Sequence, residues 1–415
     1  MAIVKAFRGY RPVKELADRI ASRPYDVLNS EEAKIEAESN PYSFLHVVKP
    51  EIDLPADIDH YSELVYNTGK NTLQRMITEG IFMQDTTVCY YIYAQTMWDK
   101  TQYGLVGCAS VSDYLHNIIR KHELTRPDKE EDRKNHIRIT NVNAEPVFFA
   151  YPDNVTIDKI VGQTIQTEPE YDFTANDGVR HTFWIISDRK DIISIEKSFR
   201  EEIPFTYIAD GHHRTAAAAH VGEERRKTNP EHYGNEEYNY FLAVHFPASQ
   251  LTIIDYNRVV PDLNGLTEEE FLGTVSESCV VRKKGPAIYK PGKVHEFSMY
   301  LGGNWYSLDA KSHTYDDSDP IGCLDVTVLS KTILEPILDI RDLRKSKRID
   351  FVGGIRGLGE LEKRVKSGEM AVAFALFPVS MAQLINIADS GNIMPPKTTW
   401  FEPKLRSGLV FHELE

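Results

Sequence analysis

The sequence predicts a mixed α/β protein, and three observations carry that prediction. Segments of β-prone and helix-prone pattern interleave along the chain rather than falling into separate halves. Several of the strands meet their neighbours through tight turns, at Asn176-Asp177-Gly178 and Gly302-Gly303-Asn304, which favours hairpins over a purely parallel, doubly wound sheet. Composition is that of a packed chain, with 41% hydrophobic, 27% charged and 10% aromatic residues, so disorder is not expected over most of its length. At 415 residues the chain is long for one core, and two domains, or one elaborate domain, are expected. The expected division is 1–265 and 266–415, with a linker around DLNGLT and the tail 394–415 as a candidate contributor to the site.

Taken in order, residues 3–12 read as extended and Val13–Ser22 as a first helix. Pro24-Tyr25-Asp26 reads as a turn, with Ser30 capping a helix that carries Glu31 and Glu32 in its first turn. Asn40–Val48 is expected as a strand, and 58–79 as a helix stopped by Gly80. Val88–Met97 and Gly104–Val111 read as paired strands, with Ser112 capping a helix to Arg120. Pro127 fits the first position of a helix towards Ile139, because a proline there forfeits no needed N–H. A strand at Pro146–Tyr151, the hairpin over 171–186 and a helix at Asp191–Arg200 follow. Beyond the central motif come strands at Tyr240–Phe246 and Leu251–Val260, a helix capped by Thr267 and a hairpin. Helices at Asp325–Leu338, 357–366 and after Ser380, and strands at Arg348–Phe351 and 370–377, complete the series. There are no repeats or low-complexity tracts.

Formal charge is −14, which argues against nucleic acid or an anionic membrane as a partner, since both select a basic footprint. The four cysteines stand far apart with no CxxC pair, as buried thiols in a reducing compartment do. The longest apolar run, Met370–Val379, is much shorter than the roughly 20 residues of a membrane span. The N-terminus has no signal-peptide pattern, and a cytoplasmic location is expected.

The most informative stretch is FTYIADGHHRTAAAAH, Phe205–His220. It reads as a strand, a sharp turn and a helix start, with Asp210 as N-cap and Gly211 permitting the turn. His212, His213, Arg214 and Thr215 then sit among unpaired helix N–H groups, where phosphate commonly binds. The alanines at 216–219 let the helix pack closely. A polar helix end with no ligand, and a metal site, are the alternative readings, although adjacent histidines rarely ligate one ion.

The densest polar stretch is KHELTRPDKEEDR, 121–133. It reads either as a solvated helix face or as the mouth of a site. In the second case His122 or Glu123 is a base, and Arg126, Lys129 and Arg133 contact phosphate. DFVGGIRGLGE lacks the order of a nucleotide-binding loop and reads as a turn before a helix. Lys397 and Lys404 in the tail read either as groups that close over an anion or as ordinary surface lysines.

Taken together, ADGHHRTAAA with PYDV, HELT, DR, YNR, PPK and FEPK in this order resembles a bacterial and archaeal family known only as a domain of unknown function, over essentially the whole chain. The DGHHR turn is also similar to the phosphate-binding turn of the ParB/sulfiredoxin fold, which includes nucleotide-dependent clamps, sulfiredoxins and free-serine kinases. That resemblance implies a ParB/sulfiredoxin-like nucleotide-binding core elaborated by insertions. It departs from the sulfiredoxins, which carry a cysteine where this chain has His212, and from ParB proteins, whose basic helix-turn-helix module is missing here.

What the resemblance implies is a phosphotransferase on a small hydroxy metabolite, most plausibly serine, using ATP or ADP with Mg²⁺; a homodimer is compatible with it. Asp210, Gly211, His212, His213, Arg214 and Thr215 would hold phosphates, and Arg126, Lys129 and Arg133 would neutralise transition-state charge. Glu123, His122, Asp26 and His213 are the candidates for catalysis; Glu31 also competes for the place of the free-serine kinases' glutamate base. Asn257, Arg258 and Lys397 would contact substrate. A phosphoserine phosphatase-like hydrolase and a ParB-like nucleotide switch are the alternatives. All of these readings require 121–133 and 210–214 to face one cavity.

Overall fold

A computed structural model describes the whole chain, Met1–Glu415. Two compact units divide it: Met1–Leu251 with Pro403–Glu415, and Thr252–Glu402. The second unit is therefore an insertion within the first. It begins at Thr252 rather than near 266, and the last residues of the chain return to the first unit.

The first unit is built on a nine-stranded mixed sheet, which bears out the expected fold class. In spatial order run Ile119–Arg120, Thr206–Asp210, Val147–Tyr151, Tyr240–Pro247, Lys100–Ser110, Tyr90–Met97, Arg180–Ile186 and Tyr171–Thr174, with Val4–Lys5 paired to Lys100–Ser110. The pairs formed by Thr206–Asp210 with Ile119–Arg120 and by Tyr240–Pro247 with Val147–Tyr151 are parallel; the others are antiparallel. Six of the eight residues of Tyr90–Met97 and eight of the eleven of Lys100–Ser110 are buried, as the middle of strands in a covered sheet must be.

Helix His212–Thr228 lies on this sheet through its alanine face. Ala216, Ala217 and Ala219 are fully buried against a core that includes Phe149, Ile208 and Phe241. Each of those large side chains contributes roughly 1.5–3 kcal/mol by leaving water. Gly222 permits the close approach, since a Cβ there would stand 2.4 Å from the Tyr238 carbonyl oxygen.

The second unit carries a six-stranded antiparallel sheet in the order Cys279–Gly285, Asn304–Ala310, Glu296–Leu301, Val372–Ala375, Tyr256–Val260, Asp350–Gly353. Its helices Glu268–Ser278 and Met381–Asp389 begin with complete capping boxes at Thr267 and Ser380, the residues expected to cap them.

Several local expectations are corrected. Asn40–Val48 is not a strand: Leu45–Val48 is a buried helical turn in the apolar cluster of Ile20, Phe44 and Phe82. Asn29, not Ser30, caps Ser30–Ala37, because its side chain and that of Glu32 satisfy each other's backbone N–H groups. Ser110, not Ser112, caps a helix that ends at Leu115, and the chain re-enters the sheet at Ile119. The expected helix from Asp325 changes from α to a π turn at Ser330–Leu334. Elsewhere local chemistry carried through: Pro127 does open helix Pro127–Thr140, and residues 171–186 do form a hairpin.

Candidate functional site

The strand Thr206–Asp210 ends at a left-handed glycine and the helix begins at once. Gly211 has φ +89° and occupies the N-cap position, so Asp210 is the last strand residue and not the cap. The first intrahelical bond runs from the Thr215 N–H to the Gly211 carbonyl at 2.9 Å. The amides of His212, His213 and Arg214 precede it, at the positive end of a 17-residue helix.

Arg214 turns back over this glycine. Its guanidinium donates from Nη1 to the Pro146 carbonyl at 2.7 Å. Its Nη2 stands 3.8 Å from Asp26 Oδ2 and 3.5 Å from Asp210 Oδ2, ion-pair distances longer than a good hydrogen bond. Nε is buried and has no hydrogen-bond partner. Burial works against its charge, and Asp26, Glu145 and Asp210 outweigh that penalty, so the guanidinium stays charged. Lys404, from the returning C-terminal segment, brings Nζ within 3.6 Å of Asp210 Oδ1. Desolvation opposes ionisation of Asp210, but Lys404 and Arg214 hold its carboxyl below the ordinary carboxylate value. Asp26 is the open member, with its side chain 40% exposed.

Behind Arg214 lies a second layer. The Glu145 carboxylate is buried, 3.7 Å from Arg133 Nη1, and accepts hydrogen bonds from the Tyr25 N–H at 3.0 Å and the Ser407 hydroxyl at 3.1 Å. Burial pushes its pKa up, against the pull of Arg214 and Arg133. Arg133 also pairs with Asp132 at 2.9 Å and stacks 4.0 Å over the Tyr25 ring. A small cavity is bounded by Arg133, His136, Asn143, Glu145 and Arg214. The stretches 121–133 and 210–214 do therefore meet at one cavity, through Arg133 and Arg214.

The other expected site residues fall elsewhere or into other roles. His212 and His213 do not form a cationic cluster with Arg214. Burial, with His122 beside it, drives the His212 imidazole well below its ordinary value, and burial also lowers His213. His213 Nε2 accepts the Arg126 N–H at 2.9 Å, which leaves the ring proton on Nδ1. His122 is no exposed base: it is buried edge-to-face against His212 at 4.5 Å, and desolvation lowers it to about 4. The Thr215 hydroxyl is spent on the Gly211 carbonyl at 3.0 Å. The exposed Arg126 guanidinium pairs with Asp128, and Lys129 donates to the Tyr61 hydroxyl at 3.0 Å. Glu123 lies half-buried in the loop before helix Pro127–Thr140.

Asn257, Arg258 and Lys397 belong to the second unit, where Asn257 and Arg258 are buried and Lys397 is exposed. Asn257 binds Asp255 and accepts the Leu376 N–H, while Arg258, fully buried, donates to the Lys397 and Tyr256 carbonyls. Sequence reasoning missed Glu145, Tyr25 and Ser407. The signal within reach was PYDV, whose tyrosine precedes Asp26. Lys404, expected to close over an anion, stands against the Asp210 carboxylate. Among side chains, no group of three or more His, Cys, Asp or Glu is arranged to hold a metal ion. No helix is long and apolar enough to cross a membrane.

Comparison with known proteins gives a family. The model of the family described as "Protein of unknown function (DUF1015)" matches residues 4–327, and the chain belongs to that family. No curated protein sequence matches the chain. Among solved structures it is similar to a free serine kinase in complex with AMP, at 13% identity and TM-score 0.35, over 69% of this chain and 84% of that one. It is also similar to a conserved hypothetical protein from Pyrococcus furiosus, at 12% identity and TM-score 0.36, over 75% and 96%. A third similar structure is the C-terminally truncated SbnI from Staphylococcus aureus, at 11% identity and TM-score 0.31, over 72% and 82%.

Proposed function

We propose, with membership of this family as the premise, that the chain is a phosphotransferase of the free-serine-kinase type, moving a phosphoryl group between a nucleotide and a small hydroxy metabolite. The observation that carries the reading is Arg214 at the Gly211 turn. A buried, charged guanidinium with an unpartnered Nε lies beside the amides of the helix's first turn, which have no partner within the helix, and faces two carboxylates. Helix amides and arginine together suit a phosphate, and the nearby Asp26 suits a proton acceptor. The structural similarities, at TM-scores below 0.4, lend this reading no weight. The nucleotide enters from the likeness of the DGHHR turn to known phosphate-binding turns.

In the forward direction the metabolite hydroxyl oxygen attacks the terminal phosphorus of the nucleotide. The new O–P bond forms as the bridging P–O bond breaks, the hydroxyl proton passes to the Asp26 carboxylate, and the nucleotide departs one phosphate shorter. Arg214 and the amides of 212–214 take up charge on the transferring oxygens. Asp26 and Asp210 stand opposite Arg214 and Lys404, so a polyphosphate would bring negative charge that these two cations do not offset. Mg²⁺ would meet that need, since it is commonly bound by one or two carboxylates plus substrate phosphates; Asp210 would hold it, and it would screen the phosphate charge.

Calorimetric titration with AMP, ADP and ATP, followed by incubation of serine with ADP or ATP and detection of phosphoserine by mass spectrometry, tests the proposal. Nucleotide binding and phosphoserine formation support it. Phosphate release from phosphoserine without nucleotide makes the protein a hydrolase instead. Nucleotide-dependent dimerisation with turnover at background makes it a switch.

A further inference from the structure

Three separate stretches supply the site at the Gly211 turn: the 24–27 turn with Asp26, helix His212–Thr228 with Arg214, and the returning segment with Lys404. None is adjacent to another in sequence, and Asp26 and Lys404 sit on irregular backbone, so something must set their positions. The dipeptide Glu145-Pro146 touches all three. Glu145 Oε1 accepts from the Tyr25 N–H, one residue before Asp26, and from the Ser407 hydroxyl, three residues after Lys404, across sequence separations of 120 and 262. The Pro146 carbonyl accepts from Arg214. The second carboxylate oxygen of Glu145 faces Arg133, whose guanidinium covers the Tyr25 ring.

The placement is specific in a physical sense. A carboxylate buried this deeply is costly unless its oxygens are well used, and replacing it by an apolar residue would relieve that cost. Its hydrogen bonds go to the two irregular segments that carry site residues, while its ion pair with Arg133 of helix Pro127–Thr140 is longer, at 3.7 Å.

We propose that Glu145 is a positioning residue that sets Asp26 and Lys404 against the Gly211 turn by tying the 24–27 turn and the C-terminal segment to one carboxylate. This rests on reading that turn as the functional site. Glu145 touches no reacting group; it acts through Tyr25 and Ser407. A glutamine keeps the carbonyl acceptor for both donors and gives up the charge, whereas an alanine loses both bonds.

The test uses the full chain, with Glu145→Gln and Glu145→Ala, read by hydrogen exchange at the Tyr25 amide and by calorimetry with ADP. In Glu145→Ala the Tyr25 amide should exchange at least about tenfold faster and ADP affinity should fall by a comparable factor. Glu145→Gln should restore both to within about threefold of the parent. A role confined to charge balance with Arg133 predicts instead that glutamine fails like alanine, and that outcome overturns the proposal, as does parental Tyr25 protection in Glu145→Ala. Should Glu145→Ala not fold, Ser407→Ala removes the tail bond alone: ADP affinity unchanged from the parent would equally overturn it, and reduced affinity in a folded variant would support it. If the parent itself binds no ADP, the site reading fails, and exchange at Tyr25 in the two Glu145 variants still decides whether the tie exists.

Discussion

Lys404 Nζ lies 3.6 Å from Asp210 Oδ1, although the whole second unit stands between them in sequence. The segment that returns to the first unit therefore brings Lys404 to the candidate site. Lys404→Met should raise the Asp210 carboxyl towards its ordinary value. The sign follows from the depressed folded value: the contribution of Asp210 to stability is present above the free-carboxylate range near pH 4 and is lost as pH falls through the folded value. Without Lys404 that loss should begin at higher pH, so the acid-unfolding midpoint should move up, with about 1 kcal/mol less stability at neutral pH. ADP affinity should fall roughly tenfold. Acid titration by circular dichroism and calorimetry measure both effects.

Asp26→Asn separates catalysis from folding. Asp26 is half-exposed and its ion pair with Arg214 is long, so its replacement should change stability by no more than about 0.5 kcal/mol. If Asp26 accepts the hydroxyl proton, phosphoserine formation should drop by about 10²–10⁴ while ADP affinity changes little. Turnover at the parental rate would remove Asp26 from the mechanism.

Much of this arrangement was legible in local sequence, and the illegible part has a physical reason. The Gly211 turn, the alanine face of helix His212–Thr228 and the start of helix Pro127–Thr140 all follow from short-range chemistry that a few residues declare. Asp210 was misread as a cap because aspartate usually caps, whereas here the strand runs through it and the glycine takes the cap position. His212 departs from what its position suggests because a helix start is usually solvated, and this one is buried against His122. Glu145 was invisible because its meaning lies in partners 120 and 262 residues away, with no local pattern to mark them. Distance likewise hid the fate of Lys129, which shares a helix with Arg133 but donates to Tyr61, 68 residues earlier, whereas Arg126 is taken by Asp128 two residues on.

Gly211→Ala probes the turn itself. At φ +89° a side chain is strained, and a Cβ there would press on the Arg214 guanidinium at 3.3 Å. The strain should cost about 1–2 kcal/mol, a fall of a few degrees in thermal midpoint. Because the displaced group is Arg214, ADP binding should weaken more than stability does. Parallel thermal unfolding and calorimetry compare the two, and a variant as unstable as expected but with parental affinity would detach Arg214 from the ligand.

His122→Phe tests whether the buried ring takes any part in turnover. Both ring nitrogens of His122 are buried without a hydrogen-bond partner, and burial lowers its pKa to about 4. Phenylalanine keeps an aromatic ring against His212 and removes two unsatisfied polar atoms, which should stabilise the fold by about 1 kcal/mol at pH 7. The pH dependence has a definite sign. The unfolded histidine takes up a proton near pH 6.5 and the folded one only near 4, so stability is lost as pH falls between those values. The variant should escape that loss, widening its advantage by about 2 kcal/mol at pH 5. Turnover should be unchanged, because a neutral imidazole enclosed this way has no route to substrate. Denaturant unfolding at pH 7 and pH 5, beside the phosphoserine assay, gives the answer: a large loss of turnover with the fold intact would return His122 to the catalytic set.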